Sequence, residues 1–439
     1  MKQVHIATFG CQMNERDSLA ITQILASYDY QVTEEMEEAD LILVNTCSIR
    51  QKAEEKTYSF LGRLKRLKDR NPDLVIGVGG CVAQQEGERL LARVPHLDLV
   101  FGTRLIPQLP DLIEEIGRNK IRLSRIELTP GGIYPNLLLM TDGPFQELNA
   151  SVTIMQGCNN YCAYCVVPFV RGPEESRPSP EILAEVEMLS AKGVKEILLL
   201  GQNVNSYGQN RAGELSFAQL LHRLEKIPGL ERIRFTTSHP KDLSPELIDC
   251  FGHISILCNH IHLPVQTGSN RILERMNRRY TREGYQEKIG QLRERCPGIA
   301  ITSDIIVGFP GETEADFEQT MDLIRTVQFD NLFSFKYSDR PLTSARNFSG
   351  KVDEEEKGRR LKELQTCQKK ITLFKNQKME GTIQEVLVEG TSKKSSQEWM
   401  GRTRSNKIIN FPGPSGLLGK TVPVHIEKAH VHSLKGRLI

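Results

Sequence analysis

Three thiols fall within eight residues in the stretch Gly157-Cys158-Asn159-Asn160-Tyr161-Cys162-Ala163-Tyr164-Cys165, spaced C-x3-C-x2-C. A loop with this spacing can aim three thiolates at one point. Structural zinc sites take four ligands and usually pair C-x2-C with a distant second pair. Ferredoxin-type sites also supply four cysteines per cluster. Here the local set stops at three. A [4Fe–4S] cluster held by three thiolates keeps one iron without a protein ligand, an open position where a small molecule can bind and react. The same residues also fit a zinc knuckle or a group of buried structural cysteines.

A second trio, Cys11, Cys47 and Cys81, is spread over the N-terminal part of the chain. Cys11 follows a strand-like run at 4–9. Cys47 follows Leu41-Ile42-Leu43-Val44, and Cys81 follows Leu74-Val75-Ile76-Gly77-Val78. Helical apolar spacing resumes behind each, over 14–27, 51–70 and 84–93. Alternating strand and helix predicts a doubly wound α/β sheet. In such a sheet the strand-to-helix loops share the edge that binds ligands. The three cysteines then converge and offer a second cluster site with a second open iron. Taken singly, each reads as a small core residue. Cys250, Cys258, Cys296 and Cys367 have no metal-ligand spacing and read as core or incidental residues.

The elements that must hold these loops divide the α/β chain into four parts. Residues 1–118 form the doubly wound domain. Residues 119–142 form a connector, with a basic apolar segment at 120–125, a Pro/Gly loop at 129–140 and a boundary near Asp142. In 143–374, strands at 151–155, 196–200, 232–236, 260–263, 300–307 and 332–335 alternate with helices. That predicts a partial (β/α)6 barrel whose active face lies at the strand C-terminal ends. A charged helix over 352–378 leads to residues 375–439, where short strands predict a small five-stranded β-barrel. This last part carries eleven Lys and Arg against five acids. Such an excess suits an RNA-backbone grip, or a basic but inert cap.

The 439 residues are 39% hydrophobic and 26% charged with net charge +2, so no global basic field advertises nucleic acid. No apolar run reaches transmembrane length, and the first residues lack a signal-peptide pattern. A cytoplasmic protein with reduced thiols is expected. His239 and His262 could act as a base or a cluster neighbour, or be satisfied polar residues. Arg171 and Arg177 could meet a carboxylate or phosphate, or simply be solvated. Arg275, Arg278, Arg279 and Arg282 could touch RNA, or form a solvated face.

With Tyr164 just before the last Cys, the central spacing resembles the radical S-adenosylmethionine (SAM) superfamily. The resemblance implies that the open iron chelates SAM and that one electron cleaves its sulfonium to a 5′-deoxyadenosyl radical. Phe9-Gly10-Cys11-Gln12-Met13-Asn14, Asn45-Thr46-Cys47-Ser48-Ile49-Arg50 and Gly79-Gly80-Cys81 resemble the N-terminal domain of the radical methylthiotransferases. So do the segments at 200–207, 237–240, 262–269 and 304–312, and the C-terminal part resembles a TRAM domain. The resemblance covers nearly the whole chain. It implies two [4Fe–4S] clusters, one on Cys158, Cys162 and Cys165 and an auxiliary one on Cys11, Cys47 and Cys81. Tyr164, Asn203, Ser238, Gln266 and Ile306 would line the SAM pocket. Together with Val166-Val167-Pro168-Phe169-Val170-Arg171-Gly172, it points to the branch that adds a methylthio group to C2 of N6-isopentenyl-adenosine at position 37 of tRNA. One SAM would methylate a sulfur at the auxiliary cluster and a second would supply the radical.

Implied partners are the tRNA anticodon stem-loop, an electron donor such as flavodoxin or ferredoxin, and a sulfur donor, with the chain acting as a monomer. Sibling branches act on threonylcarbamoyl-adenosine in tRNA or on a ribosomal-protein aspartate. A non-catalytic iron–sulfur RNA-binding protein is the reading from another class. Asp339-Arg340-Pro341-Leu342 stands where the family usually has Pro-Arg-Pro-Gly, which leaves that turn open.

Overall fold

The computed structural model describes residues 1–47, 51–128, 148–392 and 395–439. The first unit contains strands β1 (Lys2–Phe9), β2 (Tyr30–Val32), β3 (Leu41–Thr46), β4 (Val75–Gly80), β5 (Leu99–Phe101) and β6 (Leu123–Arg125). Its helices are α1 (Gln12–Ala26), α2 (Gln51–Arg70), α3 (Cys81–Glu86), α4 (Glu88–Arg93) and α5 (Leu109–Asn119). The strands pair in parallel in the order β2-β1-β3-β4-β5-β6. Helices cover both faces, as an all-parallel sheet requires. Ile21 and Leu25 of α1 pack with Leu109 and Ile113 of α5 on one side. Phe60, Leu61 and Leu64 of α2 pack with Leu90 of α4 on the other.

Two expectations are corrected here. The segment at 120–125, assigned to the connector, contains β6, which extends the sheet past residue 118. The helix expected over 84–93 is broken at Gly87, whose φ of +52° ends α3 and starts α4. The loop expected at 129–140 and the boundary near Asp142 lie outside the described residues.

The second unit runs through β7 (Asn149–Thr153), β8 (Met155–Gln156), α6 (Val167–Val170), β9 (Glu175–Ser176), α7 (Ser179–Ala191), β10 (Glu196–Leu200), α8 (Phe217–Leu224), β11 (Arg232–Phe235) and α9 (Pro245–His253). It continues with β12 (His260–His262), α10 (Asn270–Arg275), α11 (Arg282–Arg295), β13 (Ala300–Val307), α12 (Glu314–Val327), β14 (Asn331–Lys336) and α13 (Glu354–Gln377). Strands β7, β10 and β11 form one parallel arc, and β12, β13 and β14 another. A parallel bridge between Ile233 and Leu257 joins the arcs. The strands therefore run once round in chain order, as a partial barrel. The apolar core lies between the arcs and their covering helices, with Ile197, Ile233, Ile261 and Ile301 fully buried.

The last unit is a closed barrel of β15 (Ile383–Ser392), β16 (Ser395–Thr403), β17 (Ile408–Pro412), β18 (Thr421–Ala429) and β19 (Leu434–Leu438), in the order β15-β16-β17-β19-β18. Closure removes exposed strand edges. Its 402–407 turn caps the second unit. Arg232 Nη1 donates to the Arg402 carbonyl (2.8 Å) and Arg234 Nη2 to the Thr403 carbonyl (2.7 Å). Arg404 returns a bond to the Leu257 carbonyl (2.7 Å). Lys375 and Lys407 both pair with Asp330. Part of the basic excess of residues 375–439 thus ties the units together. At the departure from the family pattern, Leu342 takes φ +69°. A left-handed leucine costs about 1–2 kcal/mol; the usual glycine would avoid that cost.

Candidate active site

The central cysteine loop is a closed excursion. β8 and β9 pair antiparallel, Met155 opposite Ser176 and Gln156 opposite Glu175, and clamp its two ends. Gly157 enters the loop at φ +80°, and a Cβ there would lie 2.0 Å from the Pro173 carbonyl oxygen. Only glycine permits that approach. Inside the loop the Cys165 amide donates to the Cys162 carbonyl (2.9 Å) and the Ala163 amide to the Met276 carbonyl (2.9 Å). Asn277 Nδ2 donates to the carbonyls of Asn160 (3.2 Å) and Tyr161 (2.9 Å). Asn160 Nδ2 reaches Cys158 Sγ (3.5 Å), and Arg278 Nη1 reaches Cys162 Sγ (3.4 Å) and the Tyr164 hydroxyl (3.3 Å). Burial pushes the Cys158 thiol up to about 11 and the Cys165 thiol up to about 12. Without a metal these sulfurs hold their protons, so loading must displace them.

The other trio gathers at the C-terminal edge of the first sheet. Cys11 follows β1, Cys47 follows β3 and Cys81 follows β4. In the strand order β1 lies between β2 and β3, and the connections leave in opposite directions beside it. That is the switch point where open α/β sheets bind ligands. Asparagines set the register. Asn14 Nδ2 donates to Asn45 Oδ1 (3.0 Å) and the Thr46 carbonyl (3.1 Å), while its Oδ1 accepts from the Cys11 thiol (3.3 Å). Thr46 Oγ1 bonds the Gly79 carbonyl (2.6 Å). Gly80, at φ +88°, lets β4 approach the end of β3, since a Cβ there would lie 2.3 Å from the Thr46 carbonyl oxygen. A hydrogen bond from the Cys47 thiol, with help from Arg171, holds the Cys11 thiol down at about 6. Burial raises Cys81, opposed by Arg171.

The two trios adjoin. Cys81 packs against Val166 and Val170, and Val166 follows Cys165 directly. Arg171, from the loop behind α6, hydrogen-bonds Cys81 and pairs with Asp17 of α1 (2.6 Å), both side chains buried. Arg16 and Arg177 share Glu185, at 2.5 and 2.7 Å. Buried Arg104 donates to the carbonyls of Arg171 (3.1 Å) and Pro173 (3.0 Å) and pairs with Glu175. Arg171 is therefore a strut between the first two units, and Arg177 braces Glu185 where Arg16 reaches it; both side chains are buried, not solvated. Among the four arginines at 275–282, Arg275 binds the carbonyls of Pro310 and Ser349, Arg282 pairs with Asp322, and Arg278 is buried against Cys162.

The residues expected around SAM fall at successive strand ends. Tyr164 and Ile306 share one apolar patch with Phe309 and Met276. Gln266 is buried at φ +74° and Thr237 stands at φ +68°, so two non-glycine residues are strained at adjacent strand ends. Ser238 Oγ, His239 Nε2 and both amide atoms of Gln156 are buried without a hydrogen-bond partner. Buried polar atoms are nearly always paired, so these orphans at the barrel's strand ends fit a polar ligand. Asn203 differs. Its amide holds Ser206 (2.9 Å), Asp242 (2.8 Å) and the His239 amide (3.1 Å), bracing the loops. Burial drives His239 far below the ordinary imidazole value, so it is neutral. His262 is partnered by Thr302 (3.0 Å) and Asp304 (3.5 Å).

Among the described residues no three His, Cys, Asp or Glu side chains are placed to share a single metal ion. A cubane cluster asks for something else, one thiolate per iron from sulfurs set apart around a cage. Three thiols, Cys158 and Cys162 buried and Cys165 partly so, beside N–H donors and an arginine, with orphaned polar atoms on the neighbouring strand ends, fit such a cluster and a polar ligand on its open iron. A cleft of about 380 Å³ opens beside β14, lined by Gln12, His260, His262, Phe333, Asn406 and His432 among others. Of these, Gln12 is the residue next to Cys11 in the chain. Replacing Gly157 with Ala should cut the iron loaded by anaerobic reconstitution, because the loop would have to move off Pro173. Normal loading by that variant would show that the close approach is dispensable.

Three family models match the chain. They are the uncharacterized protein family UPF0004 over residues 3–102, the Radical SAM superfamily over 152–324 and the TRAM domain over 377–439. The chain is similar to a tRNA-2-methylthio-N(6)-dimethylallyladenosine synthase of Syntrophus aciditrophicus, with 51% identity across 100% of this chain and 95% of that one. The protein of the same name from Syntrophobacter fumaroxidans is 52% identical across 100% of this chain and 96% of its own length. Among solved structures it is similar to TsrM of Kitasatospora setae, a radical S-adenosylmethionine methyltransferase with cobalamin and a [4Fe-4S] cluster bound. That match has a TM-score of 0.58 at 14% identity and covers 79% of this chain and 74% of TsrM. At that identity it shows the fold alone.

Proposed function

The chain belongs to the tRNA-2-methylthio-N(6)-dimethylallyladenosine synthase family of radical SAM enzymes, and we propose that it adds a methylthio group to C2 of N6-isopentenyl-adenosine at position 37 of tRNA. Its cofactors are SAM and [4Fe–4S] clusters. In this reading Cys158, Cys162 and Cys165 hold the SAM cluster and Cys11, Cys47 and Cys81 hold an auxiliary one. Bound in this way, the clusters supply one-electron chemistry on SAM and a seat for the transferred sulfur. The observation that carries the proposal is the adjacency of the trios, with Cys81 against Val166 next to Cys165.

The chain's own residues do the rest. Tyr164 and Ile306 wall an apolar face, Gln156, Ser238 and Gln266 offer polar atoms to SAM, and Asn203 braces the loop that carries Ser238. The cleft beside β14 admits the nucleotide, and the terminal barrel adds basic side chains for the RNA backbone. Partners in this reading are the anticodon stem-loop, a low-potential electron donor such as flavodoxin or ferredoxin, and a sulfur donor. No described helix is long and apolar enough to cross a membrane.

Nucleoside analysis of tRNA from cells with and without the gene tests the function. The 2-methylthio derivative of isopentenyl-adenosine should vanish from the deletion strain while isopentenyl-adenosine accumulates. Loss of a methylthio group from threonylcarbamoyl-adenosine instead would assign the chain to the sibling branch.

A further inference from the structure

We propose that Arg278 is the built-in counter-charge of the SAM-cluster loop, a positioning residue whose guanidinium raises the reduction potential of a cluster held by Cys158, Cys162 and Cys165. The inference rests on the cluster assignment above. Arg278 lies in the turn after α10, between Asn277 and Arg279, which both take positive φ. It is 4% exposed. Nε donates to the Tyr280 hydroxyl (2.9 Å), Nη2 to the Pro264 carbonyl (2.6 Å), and Nη1 to the Tyr164 hydroxyl and Cys162 Sγ. Among the described residues none of its partners is a carboxylate. Buried Arg16, Arg104, Arg171, Arg177, Arg234 and Arg360 each have one; buried Arg232 also has no carboxylate partner and donates to the Arg402 carbonyl, but it touches no cysteine of either trio.

A guanidinium out of water without an anion is strongly unfavourable. The group in contact with Arg278 that becomes an anion on metal loading is the Cys162 thiol. Three thiolates outweigh the charge of an oxidised [4Fe–4S] core, and the electron that reduces it adds a further negative charge. A fixed cation with an N–H directed at a ligand sulfur therefore favours the reduced state over the oxidised one. The electron comes from a low-potential one-electron donor. By the same bonds, Arg278 aligns Tyr164 and the Pro264 backbone around the loop.

The test is an EPR-monitored redox titration of the reconstituted enzyme, with the SAM cluster identified by the change of its signal when SAM is added. In Arg278→Met the reduced-to-oxidised ratio of that cluster at a fixed potential should fall about tenfold, a shift of about 59 mV for one electron. The auxiliary cluster should be unchanged. Arg278→Lys keeps the charge and should stay within about threefold of wild type. A fully loaded Met variant with the wild-type potential would overturn the proposal. If the Met variant does not load while the Lys variant does, the charge requirement stands. If neither loads, Arg278 is a structural strut and the proposal fails. A wild-type chain with no SAM-responsive cluster would instead sink the cluster assignment itself.

Discussion

Changing Cys11, Cys47 and Cys81 together to Ala should halve the iron bound after anaerobic reconstitution, from about eight to about four per chain. It should abolish methylthio transfer yet leave SAM cleavage to 5′-deoxyadenosine measurable. The reason is the division of labour between two strand-end edges. The auxiliary trio is held by its own polar frame, Asn14 to Asn45 and Thr46 to Gly79. The central trio is held by the β8–β9 clamp, Asn277 and Arg278. Neither frame contains a cysteine of the other, so removing three sulfurs empties one site and spares the scaffold of the second. The complementary change of Cys158, Cys162 and Cys165 should also leave about four irons but stop SAM cleavage and transfer together. Iron assay and chromatography of 5′-deoxyadenosine and tRNA nucleosides read both variants. Wild-type iron content after loss of the first trio would refute the auxiliary site.

Glu185→Gln should cost about 3–5 kcal/mol of stability, read as a lower urea midpoint. Glu185 stands on α7, and its carboxylate takes Arg16 from α1 on one oxygen and Arg177 on the other. Its side chain is 1% exposed. The amide has nearly the same shape, so packing is kept while two buried guanidiniums lose their buried anion, leaving Arg177 only the half-exposed Glu181 at 3.9 Å. Glu114 pairs with Arg118 at an exposed position, and the same change there should cost less than about 1 kcal/mol. Because Arg16 neighbours Asp17, which anchors Arg171 against Cys81, the Glu185 variant should lose sulfur transfer more than SAM cleavage. Equal losses would mean that the strut does not govern alignment of the two sites.

Both cysteine trios are legible in the sequence for different reasons. C-x3-C-x2-C is local, so spacing alone makes it visible. Cys11, Cys47 and Cys81 need the periodicity of three strands before their shared edge appears. The arginines are not legible. Arg171, Arg177 and Arg278 read as contacts to a ligand or RNA or as solvated cations, never as buried partners within the fold, because a charge in sequence carries no sign of burial until its partner is known, and the partners lie far away, as Asp17 does from Arg171. Asn14 and Asn45 are equally silent, since an amide shows its use only through the bonds it makes. The short β6 was hidden because three residues carry too little alternation to outweigh a basic surround.

The chain by itself determined the reactive groups and the kinds of element that carry them, since cysteine spacing and apolar period depend only on near neighbours. The tertiary structure decided that the two sulfur sets meet. That meeting depends on buried ion pairs across the first two units and on glycines that allow backbones to touch. These are contacts between residues far apart in sequence, whose free energy exists only once the surrounding core has excluded water.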